Sequence, residues 1–246
     1  MEICFVGVGA AWEPGLGNAS VLVKAQSQLL IDCGFGVPAR LFEVPGFEDI
    51  DAVYLTHFHG DHTFGIPCLL GCLWELGREK KLTFIGQPGT QKIVEKMMQL
   101  AYPTLLKRIA FPIEYIESKE EAELNEFKLR FARSAHPQQN YAIKVSADDT
   151  SVGVSGDGAI TPETQELFQD CSVIVHECYR YEDEVPGHGI ATILFDSLKI
   201  HPNLKTLCLT HLDPKARRTE KDQMLALGER YSFDVYVPEP GDLLLV

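Results

Sequence analysis

Thr56-His57-Phe58-His59-Gly60-Asp61-His62 is the stretch on which the reading of the chain turns. The run before it, Asp51-Ala-Val-Tyr-Leu55, is short, apolar and β-prone. The Pro45-Gly46 turn bounds it upstream and Gly60 breaks the pattern downstream, which marks a buried strand. The motif therefore occupies the loop leaving that strand, ahead of an apolar stretch, Phe64 to Leu76, long enough for a helix. Loops at the C-terminal edge of strands are where α/β proteins place their chemistry. His57 and His59 are two apart and converge on one cation if the loop turns between them; Asp61 and His62 then face a second. Imidazole suits zinc, manganese or iron, and a carboxylate adds the negative charge that holds a second dication nearby. Three of the eight histidines and an aspartate fall within six residues. That density points to a metal site rather than to a histidine-rich surface loop.

With 246 residues, 45% of them hydrophobic, the chain can bury a full core. A net charge of −13 argues against a large electrostatic footprint for nucleic acid or anionic membrane. Met1-Glu-Ile-Cys-Phe5 lacks the basic start and apolar core of a signal peptide, and no apolar run approaches ~18 residues. Together with seven scattered cysteines, an odd number, this gives the expectation of a reduced, cytoplasmic protein with no membrane span. Cys68 and Cys72, four apart on the expected helix, are expected on its core-facing side.

Along the chain, residues 1–33 form a β-meander pattern, with turn chemistry at Gly15, Gly17 and Asn18. Asp32 ends its third strand, either as a turn cap or behind the metals. From 38 to 101 helix and strand alternate, with one helix over about 63–77. Strands return between 111 and 154, and alternation resumes to the end, with a helix over about 219–230. The acidic run Glu114–Glu126 is expected as a solvated edge or turn. The same order of segments occurs twice. The pattern predicts an α/β protein of two similar halves, each a sheet with helices on its outer face, packed as one domain over 1–246.

Two metals need more ligands than the motif supplies. Three residues stand just past expected strands: His136 before Pro137, Asp157 in Ser155-Gly156-Asp157-Gly158, and His211 in Leu209-Thr210-His211. The glycines beside Asp157 allow close backbone approach.

Thr56-His-Phe-His-Gly-Asp-His62 resembles the HxHxDH signature of the metallo-β-lactamase superfamily, and His136, Asp157 and His211 fall in the order of that family's later motifs. The resemblance covers nearly the whole chain and implies a four-layer αβ/βα sandwich of two mixed sheets. It also implies two divalent metal ions, zinc first and manganese second. His57, His59 and His136 would hold one, Asp61, His62 and His211 the other, with Asp157 bridging. Gly7-Val-Gly9, Asn18-Ala-Ser20 and Leu30-Ile-Asp-Cys-Gly34 are similar to the opening of ribonuclease Z-type proteins. So are His176-Glu177 at a strand end and Gly187-His188 before a helix, although Cys178-Tyr179 and Gly189 depart from that branch's usual sequence. The resemblance implies that Asp61, Glu177 and His188 take part in catalysis; that branch commonly dimerises, and the apolar residues around 64–76 and 97–111 are the candidates for a homodimer interface.

Two metals about 3.5 Å apart share a water and bring its pKa toward neutrality, giving a hydroxide nucleophile. Asp61 is placed to orient it, and His188, backed by Glu177, to stabilise the transition state or protonate the leaving oxygen. Lactamases of the best-known class carry Cys where Asp157 stands, and the di-iron redox branch carries Glu at His59. Glyoxalase II-like thioester hydrolases add a C-terminal helical domain, for which the 35 residues after His211 are too few. Ribonuclease Z inserts a long basic tRNA arm between the motifs of His136 and Asp157, where this chain has 20 residues. The expectation is thus a metal-dependent phosphodiesterase acting on a small or cyclic phosphodiester. The alternatives are a tRNA 3′ endonuclease, a thioester hydrolase and a metal-holding carrier. Substrate identity is expected in loops 10–18, 34–48 and 180–190, with Trp12, Phe35 and Tyr181 as candidates for stacking on a base and ordinary packing as the other role open to them.

Overall fold

The fold is described from a computed structural model covering residues 1–13 and 15–246; Pro14, in the 10–18 loop, lies outside the described residues. Two seven-stranded mixed sheets carry the chain. The first takes β1 (Glu2–Gly7), β2 (Ser20–Lys24), β3 (Gln28–Ile31), β4 (Ala52–Leu55), β5 (Leu82–Gly86) and β6 (Ile113–Glu117) in spatial order. The second takes β7 (Glu121–Leu124), β8 (Phe127–Arg133), β9 (Tyr141–Ala147), β10 (Thr150–Val154), β11 (Val173–Glu177), β12 (Thr206–Thr210) and β13 (Asp234–Tyr236). The last strand, β14 (Leu243–Leu245), returns to the first sheet and pairs antiparallel with β1. In both sheets an antiparallel meander gives way to parallel strands, at β3–β4 and at β10–β11. This is the twofold repetition expected from the order of segments.

Side-chain alternation explains the layers. Ile3 and Phe5 of β1 point between the sheets, where they meet Phe127, Leu129, Ile143 and Val152; Cys4 and Val6 point outward beneath helices. Tyr54 on β4 stacks on Phe131 of β8 with ring centroids 5.0 Å apart, and its hydroxyl donates to the Tyr141 carbonyl. The outer face of the first sheet is covered by helices that include α1 (Pro38–Leu41), α3 (Ile66–Glu75) and α4 (Thr90–Ala101), the short α2 (Gly60–Thr63) lying in the motif loop. The second is covered by α5 (Pro162–Leu167), α6 (Ala191–Leu198) and α8 (Lys221–Gly228), with α7 (Pro214–Thr219) leading into α8. The result is the four-layer αβ/βα sandwich.

Several local expectations are corrected. The helix expected over 63–77 is divided into α2 and α3, because Gly65 sits against the Gly34 carbonyl and Pro67 opens α3. The helix expected over 219–230 is α8, and α7 stands ahead of it where none was expected; Asp213 caps α7 by accepting from the Lys215 and Ala216 amides, with Pro214 as its first residue. Cys68 is exposed and Cys72 half-buried, since Ile66, Leu69, Leu70 and Leu73 form the buried stripe of α3 and leave the two cysteines on its outer side. The other five cysteines are buried. The acidic run belongs to β6 and the edge strand β7, where charge keeps a sheet edge soluble. Around 64–76 and 97–111, the stretches expected at a dimer interface, Phe64, Leu76, Leu100 and Tyr102 are exposed. Among the described residues no helix is long and apolar enough to cross a membrane.

Candidate metal centre

β3, β4, β8, β10, β11 and β12 all end at one edge of the sandwich, and the residues that follow them meet there. The motif leaves β4, with His59 as the residue before α2 and Asp61 and His62 within it. Gly34 is what lets this loop close down: a Cβ there would meet the Asp61 carbonyl oxygen at 1.8 Å. Asp32 and His211, at the ends of β3 and β12, both take left-handed backbone with φ of 61° and 56°. Such strain in non-glycine residues collects at functional sites.

His57, His59, His136 and Asp157 form one group of converging ligand atoms, and Asp61, His62, Asp157 and His211 a second. In the first, His59 Nδ1 lies 3.0 Å from His57 Nε2 and 3.3 Å from His136 Nε2. Asp157 Oδ2 stands 3.8 Å from His57 Nε2. In the second, His62 Nε2 is 3.3 Å from Asp61 Oδ2 and 3.2 Å from Asp157 Oδ1. His211 Nε2 is 3.4 Å from the same two oxygens. Atoms bound tetrahedrally at 2.0–2.2 Å are separated by about 3.3–3.6 Å. The side chains present therefore fit a pair of divalent ions that share Asp157. Two further features support the fit. His62 Nε2 and Asp157 Oδ1 are buried and make no well-directed hydrogen bond, and three imidazole nitrogens face one another, which lone pairs tolerate only around a cation or a shared proton.

Charge follows the same plan. Burial first, and His62 second, push the His57 imidazole well below its usual pKa, so it is neutral as a ligand must be. Burial would raise Asp61, but hydrogen bonds from His211 and His62 outweigh it and hold the carboxyl well below the usual range. Burial would likewise lower His62, where the Asp157 and Asp32 carboxylates prevail and the net shift is upward.

Behind these atoms lies a set of contacts that orient them. Asp32 Oδ2 receives His62 Nδ1 at 2.7 Å and the Thr56 hydroxyl at 2.8 Å, and Oδ1 receives the Thr56 amide. Thr56 Oγ1 is in turn 3.1 Å from His57 Nδ1. One buried carboxylate thus aligns a histidine of each group, which settles the position of Asp32 behind the cluster. Asp32→Asn keeps the volume and is expected to weaken divalent-ion affinity about 10–100-fold; a chelator-competition titration with unchanged affinity would refute this. The His136 Nδ1–H donates to the Gly187 carbonyl, 2.9 Å away.

Glu177, fully buried at the end of β11, accepts through Oε1 from the Gly158 and Gly189 amides and from His188 Nδ1 at 3.0 Å. Tyr179 stacks on the His188 ring with centroids 4.6 Å apart. Sequence reasoning missed Tyr179 and named Tyr181, which instead packs against the outer core of the second sheet. The loop bearing His188 is tied down by Glu220, whose carboxylate takes Arg180 Nη2 at 2.7 Å and the Tyr181 amide at 2.8 Å. Burial would raise Glu220 and the Arg180 bonds lower it, with a net downward shift. The tether is therefore present above the ordinary carboxylate pKa and is lost as pH falls through the lower folded value. Glu220→Ala is expected to speed amide hydrogen exchange across 179–190 about 10–150-fold at pH 7, the scale of ~1.5–3 kcal/mol for bonds to a charged group. Equal exchange in both proteins would rule the tether out.

A cleft of about 620 Å³ opens above the cluster, lined by His59, Asp61, His136, Asp157 and His211 of the two groups together with Trp12, Phe35, Phe64, Tyr179 and His188.

Known proteins resemble the chain over this same frame. It is 24% identical over 278 aligned positions to ribonuclease Z of Bacillus cereus (strain G9842), covering 87% of this chain and 89% of that one. Among solved structures, human tRNase Z, short form, superposes with a TM-score of 0.80 at 18% identity, covering 100% of this chain and 99% of that one. Unliganded yeast PDE1 superposes with a TM-score of 0.77 at 16% identity, covering 100% and 99%. The family described as Anti-Pycsar protein Apyc1 matches residues 1–226. The chain belongs to that family, within the ribonuclease Z-like branch of the metallo-β-lactamase superfamily.

Proposed function

We propose that the protein is a metal-dependent hydrolase of small phosphodiesters, cyclic ones included. The observation that carries this reading is the cleft over the two ligand groups. Its volume falls within the about 300–1,000 Å³ of small-molecule sites, and none of its described lining residues is Lys or Arg. A long polyanion such as tRNA is gripped by many basic contacts, whereas a single phosphodiester can be neutralised at the cluster itself. The interval from His136 to Asp157 is filled by β9, β10 and their turn, so no appended RNA-binding arm stands there.

When bound, two divalent ions would supply a water of lowered pKa and neutralise charge at the phosphoryl oxygens. His57, His59, His136 and Asp157 would hold one ion, and Asp61, His62, His211 and Asp157 the other. Zinc suits these nitrogen-rich sets, with manganese the second choice. The Asp61 carboxylate, held ionised by His211 and His62, would orient the attacking water. His188 is anchored through Nδ1 to Glu177, which leaves Nε2 to donate to the departing oxygen.

Steady-state hydrolysis of a panel tests the reading: bis(p-nitrophenyl) phosphate, 2′,3′- and 3′,5′-cyclic nucleotides, a pre-tRNA and S-lactoylglutathione. Turnover of the small diesters with inert pre-tRNA is the expected result. Efficient pre-tRNA cleavage would support the endonuclease activity for which the Bacillus relative is named, and hydrolysis of the thioester alone would overturn the choice of phosphodiesters.

A further inference from the structure

Three large aromatic side chains stand in water at the mouth of the cleft. Trp12 is 84% exposed, Phe64 62% and Phe35 49%, and all three line the cavity whose floor is the ligand cluster. Trp12 and Phe35 form a pair, with ring centroids 6.3 Å apart and planes 30° from parallel. Their own packing does not account for them: Trp12 is the most exposed large apolar side chain among the described residues, on a loop between β1 and β2. Apolar surface left in water forgoes about 25 cal/mol per Å², and its concentration at one concave site marks a ligand contact.

The chemistry of the wall selects the ligand. It offers flat rings and no charged side chain, so it suits a planar, neutral, aromatic group and offers little to a polyol or a second phosphate. Such a group must sit within one nucleotide's reach of a phosphodiester held at the floor. We infer that Trp12, paired with Phe35, is the specificity-determining residue of the site and stacks on the nucleobase of a nucleotide phosphodiester, distinguishing it from base-free cyclic sugar phosphates. This rests on the phosphodiesterase reading above, and narrows it.

Kinetics of Trp12→Ala and Trp12→Phe test it, on a 3′,5′-cyclic nucleotide and on base-free ribose 3′,5′-cyclic phosphate. Exposure at position 12 makes both variants compatible with the fold. For Trp12→Ala, the KM for the cyclic nucleotide is expected to rise about tenfold or more, the scale of one base stacked on one ring. The kcat should stay within about twofold, the base-free substrate should be unaffected, and Trp12→Phe should restore most of the loss. An unchanged KM, or an equal loss on both substrates, would overturn the assignment. If the wild type cleaves neither compound, 3′,5′-cyclic substrates are excluded, the panel above decides the phosphodiesterase reading, and fluorescence decides the stacking separately. The chain has two tryptophans, so Trp74→Phe leaves Trp12 as the only reporter. Saturable quenching by a nucleoside 5′-monophosphate and none by ribose 5-phosphate upholds the base contact; no quenching by either refutes it.

Discussion

Asp157→Ala is expected to remove the second divalent ion and to lower phosphodiester turnover by at least about 10³-fold, more than 4 kcal/mol in the barrier. Of the two groups rich in histidine, Asp157 alone belongs to both; His211 converges with Glu177 and His188 as well. Its Oδ1 faces His62 and His211 and its Oδ2 faces His57. Loss of the carboxylate therefore leaves each group one donor short and returns several histidines to mutual contact with no anion between them. The backbone of residue 157 is also held in place independently of any ion, because the Asn140 side chain accepts from its amide and Ser134 donates to its carbonyl. Those backbone anchors survive the substitution, so the fold should persist while the cluster loses its bridge. Metal content by mass spectrometry, taken with circular dichroism and turnover on the same sample, measures all three. Two ions retained with less than tenfold loss of activity would exclude a bridging role.

How much of this was legible beforehand depends on distance along the chain. The motif loop was readable because four ligand-type side chains fall within six residues after an apolar run, and His136, Asp157 and His211 because each follows a strand pattern ended by a glycine or a turn. The layers followed from the twofold order of strand-rich and alternating segments, which the two sheets repeat. Register was not readable. Asp32 reaches Thr56 and His62 because β3 pairs parallel with β4, setting Ile31 beside Tyr54, and no local pattern states that alignment. The same holds for β14: three alternating residues, exposed at both ends, could have joined either sheet.

Other misses are local. Tyr179 and Tyr181 differ by two positions, and only the turn after β11 decides which ring meets His188. The aromatic character of loops 10–18 and 34–48 was visible as Trp12 and Phe35, but their proximity was not. Phe64 was assigned to the start of a helix, and it faces the cleft because that helix divides after Thr63. The cap that opens α7, Asp213-Pro214, follows ordinary helix-start rules and is a signal that local reading could have found.

His188→Ala is expected to lower kcat about 10²–10⁴-fold on a cyclic nucleotide while two ions remain bound. The imidazole is not one of the paired ligand groups; it is anchored by Glu177 and flanked by Tyr179. Burial would lower its pKa, but the hydrogen bond and charge of Glu177 outweigh burial and the net shift is upward, which favours the protonated, donating form near neutral pH. A proton donor matters in proportion to how poorly the departing oxygen leaves. A ribose alkoxide needs the proton, whereas p-nitrophenolate is stable without it. The variant should therefore retain most of its activity on bis(p-nitrophenyl) phosphate and lose it on the cyclic nucleotide, and Glu177→Gln should show the same ordering with a smaller loss. Equal losses on both substrates would assign His188 to transition-state charge rather than to the leaving group. Loss of an ion together with activity would make it a ligand, as its place beside Glu177 and His211 permits.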